Sequence, residues 1–389
     1  MEQPSTPRRP AIWLLVLINF SGTLAMHMFV PALPTMARDL NASSAAAQLA
    51  LTLYVLGLAF GQLFYGPLSD RFGRRPVLIA GLSFYTIAGL AAALAPTIQV
   101  LLGARLMQSL GGCAGLVLGR AMVRDTAPPN ESMRRLALIN LVIMIGPGLS
   151  PIAGGLLASA FGWRSIFFAL ALLGVVNLLL VWLILEETGA KAEPDIRALA
   201  RDYKGLLGSR AFLGFVVGGG CSTTSMYAFI AAAPFIFINE LHRSSNEVGL
   251  FLGLLMSGVA IGSICAGSLA GRVAMEKLMI GANLVCVAAT VMLVAAAATG
   301  VATAPIMVLL MGIFAVGGGI VSPAALTKAV GVNARVIGSA AGLYGFGQMI
   351  VGAICTTLSS VGPDPMLTAA LIMLVAAVIG QGAFWVALK

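Results

Sequence analysis

Twelve stretches of about twenty apolar residues, separated by short polar segments, leave this 389-residue chain one class of fold. A bilayer core about 30 Å thick is crossed by a helix of about 20 apolar residues, and in a continuous run only a helix satisfies its own backbone there. The stretches fall at roughly 11–33, 47–67, 77–95, 98–121, 136–158, 165–185, 211–238, 248–270, 278–298, 303–325, 336–358 and 366–388, and they hold about 70% of the chain. Charged residues make up only 10% of the whole, against about 25% in soluble domains, so no water-soluble surface can be built from it. Barrels and Rossmann sheets are excluded. The 46 glycines suit helices that approach closely in lipid.

Charge placement sets an expected orientation. With the N-terminus cytoplasmic, the inner segments and the inner end of span four hold 19 Lys or Arg residues, while the outer loops hold Arg38, Arg164 and Arg243. Cytoplasmic loops are the ones enriched in Lys and Arg, so both termini are expected inside. The net charge of +9 is scattered through short segments and forms no basic stripe, which argues against a nucleic-acid partner. Arg8 and Arg9 precede an apolar run too long for a signal peptide and without a clear cleavage site, so it reads as a retained first span. Cys113, Cys221, Cys265, Cys286 and Cys355 sit inside apolar runs, odd in number and without metal-ligand spacing. Neither a disulfide framework nor a metal site is expected.

The one long polar segment, Glu186 to Arg210, divides the spans six and six. The expected organisation is a six-helix bundle over 1–185, a cytoplasmic linker over 186–210 and a second six-helix bundle over 211–389. An offset of 201 residues aligns Gly57, Gly61, Gly66, Leu68 and Arg71 with Gly258, Gly262, Gly267, Leu269 and Arg272. Two parallel six-span halves related by an axis along the membrane normal are a transporter architecture.

Between spans two and three runs Gly66-Pro67-Leu68-Ser69-Asp70-Arg71-Phe72-Gly73-Arg74-Arg75. It resembles the signature loop of the major facilitator superfamily, with Gly66, Asp70, Arg71, Gly73, Arg74 and Arg75 at the family's spacing. The glycines permit a tight turn, the arginines anchor the inner face, and Asp70 can pair with Arg or a helix N-terminus; such a cluster can latch two halves in one state. In the second half Gly271, Met275 and Glu276 replace Asp70, Arg74 and Arg75, so a degenerate latch is expected there. Span five carries Gly146, Pro147, Pro151, Gly154 and Gly155, similar to the family's antiporter motif, and span four carries Arg105 and Gln108, similar to its fourth-span motif. Met28-Phe29-Val30-Pro31-Ala32-Leu33-Pro34, Gln62-Leu63-Phe64-Tyr65-Gly66-Pro67-Leu68-Ser69-Asp70, Val123-Arg124-Asp125 and Pro234-Phe235 resemble the Bcr/CflA subgroup of bacterial drug:proton antiporters. That resemblance implies an all-α integral membrane protein of twelve helices in two pseudo-symmetric bundles. It also implies proton-driven export of small amphiphilic antibiotics, such as bicyclomycin, amphenicols or sulfonamides, across the bacterial inner membrane, with no cofactor.

One departure matters. Where many members carry an Asp in the first span, this chain has His27, and no acidic residue lies within any of the twelve stretches. His27 is the titratable group there that changes charge near neutral pH, and it lies at a depth similar to Arg105. These two are the candidates for proton coupling, with proton binding competing with Arg105 for a substrate dipole. Polar and aromatic side chains inside apolar spans are the candidate substrate contacts: Asn19, Tyr54, Gln108, Tyr227, Tyr344 and Gln348, with His27 itself, and Met26 and Phe235 as adaptable apolar surface. The expected partners are a small-molecule substrate, protons and the lipid bilayer, for a chain acting as a monomer. A metabolite exporter or uncoupled facilitator of the same fold is the alternative, and a non-transporting receptor a more distant one. An enzyme would need clustered His, Asp or Glu at membrane depth, and no phosphate-binding G-x-x-x-x-G-K-[ST] loop is present.

Overall fold

A computed structural model describes residues 10–189, 196–333 and 336–389, helical almost throughout. Arg8, Arg9, Lys191 and Arg335, which enter the charge asymmetry, lie outside the described residues. The helices are α1 (Ile12–His27), α2 (Leu33–Asp39), α3 (Ser44–Phe72), α4 (Arg74–Ala93), α5 (Ile98–Thr126), α6 (Pro129–Phe161), α7 (Arg164–Ile184) and α8 (Ile196–Leu207), then α9 (Arg210–Thr223), α10 (Tyr227–Phe235), α11 (Ser245–Leu269), α12 (Met275–Ala298), α13 (Ala304–Gly331), α14 (Ile337–Ser359) and α15 (Pro365–Ala387). Among the described residues eleven spans are long and apolar enough to cross a membrane. The remaining expected span falls on α6, whose described apolar stretch, Ile145–Phe161, is shorter.

Local chemistry sets the helix ends. Ser43, Thr97, Ser209, Ser244 and Asp364 each accept a hydrogen bond from a first-turn amide of the helix that follows, and Ser244 with Glu247 forms a reciprocal capping box. Ser43 and Ser244 are themselves 201 residues apart, so the sequence repeat extends to the caps. Several helices outrun their apolar windows. Asp70 and Asp125 therefore stand in the last turns of α3 and α5.

Spans one and seven are broken. After α1 the chain passes through a 3-10 turn, Val30–Ala32, before α2, where Pro31 and Pro34 withhold backbone donors. Span seven runs from α9 through a 3-10 turn, Thr224–Met226, into α10 and a π turn, Ile236–Glu240. There Thr223, Thr224 and Ser225 turn their hydroxyls back onto the carbonyls of Gly219, Gly220 and Cys221, a habit that bends helices.

Glycine decides which helices touch. A methyl group at Gly57 would overlap Ser109 of α5, and one at Gly61 would press on Cys113; 201 residues on, Gly258 and Gly262 bring α11 against Gly312 and Val316 of α13 in the same manner. Two seams join the halves. In one, Gly148, Pro151 and Gly155 of α6 lie against Gly253, Gly249 and Ser245 of α11, and Ser159 donates to Asn246 at 2.8 Å. In the other, α3 meets α14 through Gln48 and Ser359, Phe60 and Phe346, and Gln62 against Gly345. Both seams run from the end opposite the Gly66–Arg75 loop toward the centre, where α10 also packs on Val30–Ala32, α2 and α3.

The repeat glycines divide into two kinds, since a side chain at Gly66 or Gly267 would meet open space. Gly57→Ala and Gly262→Ala are expected to lower the thermal unfolding midpoint of the purified protein, in line with an overpacking cost of about 1–3 kcal/mol. Gly66→Ala and Gly267→Ala should leave it unchanged. Equal shifts in all four variants would contradict this packing.

Candidate functional site

Arg105, two turns in from the N-terminal end of α5, is fully buried. A cation inside a span costs up to about 2.5–3.5 kcal/mol on insertion scales, the value at the helix centre, so its surroundings must compensate it. Its Nη1 donates to the Ala25 carbonyl at 3.1 Å and to Gln108 Oε1 at 2.8 Å. Ala25 lies in the last turn of α1, where the helix presents its negative end. Ring faces supply the rest: the guanidinium carbon is 4.1 Å from the Tyr54 centroid, 5.4 Å from Phe29 and 5.6 Å from Phe167. Tyr54 is held in place by its own hydroxyl, which donates to the Gly22 carbonyl at 2.8 Å. Arg105 Nε, Arg105 Nη2 and Gln108 Nε2 have no hydrogen-bond partner.

His27 closes α1 and is buried, with Nδ1 3.1 Å from the Thr23 carbonyl. That contact puts the proton of a neutral ring on Nδ1 and leaves Nε2 as acceptor. Its ring faces Tyr227 across the junction of the halves, 6.2 Å between centroids and tilted by 56°. Tyr227 opens α10 immediately after the break in span seven. His27 and Tyr227 thus occupy the two helix interruptions, and they meet. Arg105 shares the depth of His27, but its contacts all come from the first half.

The other candidates fall into separate groups. Tyr54 and Gln108 join Arg105. Gln348 donates to Thr223 Oγ1 at 2.7 Å, and its carbonyl accepts from Thr224 Oγ1 at 2.7 Å, so it braces the span-seven break. Tyr344 packs among Phe212, Val216 and Phe384, with its hydroxyl against Gly219 and unpartnered. Met26 and Phe235 are buried in the central apolar cluster. Asn19 stands apart, donating to the Leu15 carbonyl at 2.7 Å and wedged against Gly119.

Two buried polar ties went unnoticed in the sequence. In the first half Ser21 accepts from Tyr85 through its carbonyl and from Asn177 through its hydroxyl, linking α1, α4 and α7. In the second, Ser222 donates to Asn283 at 2.6 Å, and Asn283 donates to Gln381 at 2.8 Å, linking α9, α12 and α15. Ser21 and Ser222 are again 201 residues apart, which was the available signal.

The signature loop is a compact clasp at the start of α4. Arg74 bonds Asp70 Oδ1 at 2.7 Å and Asp125 Oδ2 at 2.9 Å, while Arg71 lies over the Phe72 ring, exposed. Glu187, just beyond α7, accepts from the backbone amides of Arg74 at 2.8 Å and Arg75 at 3.2 Å, and from its own neighbours Thr188 and Gly189 at 3.0 Å. Gly73 turns with φ +98° directly beneath that carboxylate, where any side chain would strike Glu187. Arg75 reaches the Trp182 carbonyl at 2.8 Å. The second loop lacks counterparts of Asp70 and Arg74, with Gly271 and Met275 in their places, but Glu276, one residue further along α12, pairs with Lys328 near the end of α13, a single ion pair of opposite polarity between the corresponding helices.

The antiporter-like stretch has two faces. Gly146 and Gly154 let α6 approach Phe20 and the Met28 carbonyl of span one, while Pro151 and Gly155 meet α11, with Pro147 between them inside the helix.

A family model described as Major Facilitator Superfamily matches residues 15–356. The MFS-type transporter YdgK of Bacillus subtilis (strain 168) is 30% identical over 99% of this chain and 97% of its own. Multidrug resistance protein D of Escherichia coli (strain K12) is 31% identical, covering 90% and 88%. The multidrug transporter MdfA of Yersinia pestis bv. Antiqua (strain Angola) is 31% identical, covering 68% and 65%. Among solved structures, a D-xylose-proton symporter matches with a TM-score of 0.76 at 16% identity, covering 95% of this chain and 96% of that one. A bacterial homologue of the human lysosomal transporter Spinster, inward-facing, matches at 0.72 and 14% identity, covering 97% and 96%. At those identities the structures speak for the fold alone.

The Glu187 cap is open to measurement. Glu187→Ala leaves the first amides of α4 without an acceptor and is expected to cost about 1–2 kcal/mol, seen as a lower thermal midpoint. Glu187→Gln, which keeps an acceptor but loses the charge, should fall between it and the wild type.

Proposed function

We propose that this chain, which belongs to the Major Facilitator Superfamily, exports small amphiphilic compounds of the antibiotic kind in exchange for protons. It is a multi-pass membrane transporter and not an enzyme. The reading places it in a bacterial inner membrane with both termini cytoplasmic, as its basic loops favour, and needs no cofactor beyond the proton gradient. A single chain suffices, because both seams are internal.

The meeting of His27 and Tyr227 at paired helix breaks is the observation that carries the mechanism. Discontinuous helices in corresponding positions of two repeats mark the substrate site in such folds. With the seams closed at the end away from the signature loop, the arrangement fits an inward-facing state. Residues 1–185 and 211–389 then rock about the α6–α11 and α3–α14 seams, with 186–210 as the tether. The Arg74 and Glu276 clasps stiffen the cytoplasmic ends of the two bodies. His27 is the proton site: charging a buried imidazole is costly, so a proton there favours the state in which the junction is open and wet. Relatives named as multidrug transporters support the substrate class. The absence of a carboxylate from the apolar stretches favours, as a second reading, an uncoupled facilitator or metabolite exporter.

The test is substrate-driven proton flux in proteoliposomes, using bicyclomycin, chloramphenicol and a sulfonamide. Wild type and His27→Asp are expected to couple, while His27→Ala carries substrate downhill without moving protons. Undiminished proton flux in His27→Ala would overturn the role of His27. Transport indifferent to a pH gradient in the wild type would establish the facilitator.

A further inference from the structure

Arg105 presents the chemistry of an unfilled site. A guanidinium is planar, and Nε and Nη2 share one edge as two parallel donors, the edge that grips a carboxylate bidentately. In this chain that edge is free, while the remaining terminal nitrogen is engaged by Ala25 and Gln108. Gln108 Nε2, on the side chain bound to the same guanidinium, is a third free donor, so the free groups are all donors. Both side chains are fully buried.

The charge balance points the same way. The end of α1 offers only about half an elementary charge, and ring faces offer quadrupoles. The twelve apolar stretches contain no Asp or Glu. A water molecule could occupy a donor, but it would leave the cation uncompensated. An anion satisfies both donors of the edge and the charge together, and the rings of Tyr54, Phe29 and Phe167 exclude competing solvent from it.

Granting the transporter reading of this centre, on which it rests, we propose that Arg105 and Gln108 bind a carboxylate carried by the transported compound, so that the substrates include organic acids. The substrate brings the negative charge that the spans lack. Its acid group docks on the Nε–Nη2 edge, with Gln108 Nε2 donating to one of the same oxygens. In the state described here both side chains are fully buried, with Arg105 held to Ala25 of α1, so access requires α1 to part from α5. The break that follows His27 gives that end of α1 the freedom to do so.

The full-length protein in phosphatidylethanolamine/phosphatidylglycerol nanodiscs provides the test. Its thermal midpoint is measured with a panel of aromatic and aliphatic monocarboxylates, each paired with its primary amide, and with sodium chloride as the inorganic control. At least one acid should stabilise the wild type where its amide and chloride do not. Arg105→Lys keeps the charge but loses the paired edge, and should weaken the Kd for that acid about tenfold or more. Gln108→Leu should weaken it by roughly threefold, and it decides the matter if Arg105→Lys does not fold. The proposal fails if no acid separates from its amide, if chloride stabilises equally, or if the folded variants bind the acid as the wild type does. Transport of neutral drugs without any acid binding would remove this proposal and leave the exporter reading standing.

Discussion

A cation placed in an apolar interior has to be answered by something, and much of the first half is arranged as the answer to Arg105. Four spans contribute to it. Ala25 comes from α1, Tyr54 from α3, Gln108 from α5 itself and Phe167 from α7. A backbone carbonyl, an amide and the faces of rings are weak acceptors one by one. Together they hold a charge whose cost on insertion scales reaches about 2.5–3.5 kcal/mol at a helix centre, and in doing so they fix the rotation of each helix about its axis. Among the described residues the second half has no such centre. It ties the corresponding helices with Ser222, Asn283 and Gln381, which are neutral. The two halves share a scaffold, and among the described residues the fully buried charge belongs to the first.

The scaffold itself is a repeat expressed at three levels of chemistry. Caps at Ser43 and Ser244 start α3 and α11 alike, and glycines at 57, 61, 258 and 262 set the approach to α5 and α13. An ion pair also joins the start of α4 to the end of α5 and the start of α12 to the end of α13, with opposite signs and shifted by one and two residues from the 201-residue register. A comparison of residue types position by position sees only the lost counterparts of Asp70 and Arg74, because the pairing is a property of two helices and not of one loop.

Span number, the six-and-six division and the repeat were legible because they follow from hydropathy and spacing, which are properties of one segment at a time. The clustering of Tyr54, Gln108 and Arg105 was half legible: each is a polar or aromatic residue where lipid would reward neither. What the sequence could not supply was direction. Tyr344 and Gln348 share a face four residues apart, as expected, yet that face turns to α9 and braces the span-seven break. Asn19 turns inward to Gly119. Glu187 was invisible for another reason. A carboxylate just after a span reads as a loop charge, and its value as the cap of α4 exists only once span six returns beside the signature loop.

A transporter of this kind needs rigid bodies and a junction soft enough to open, and the two are built from different materials. Within each half, the buried polar ties of Ser21 and Ser222 resist relative motion of helices, because parting them would strand donors in a medium without water. Between the halves the contacts are mostly glycine, proline and carbonyl surface along α6 and α11, and ring edges and small residues along α3 and α14. Such surfaces separate without abandoning many hydrogen bonds. The helix breaks lie where the two regimes meet. His27 follows Ala25 by two residues, so the end of α1 that answers the Arg105 charge also carries the imidazole that faces Tyr227. A change of charge on either side of that short segment is felt by the other, and the segment belongs at once to the rigid half and to the junction. On the proposed function, that is the physical route by which a proton or an acid at the centre biases the whole molecule.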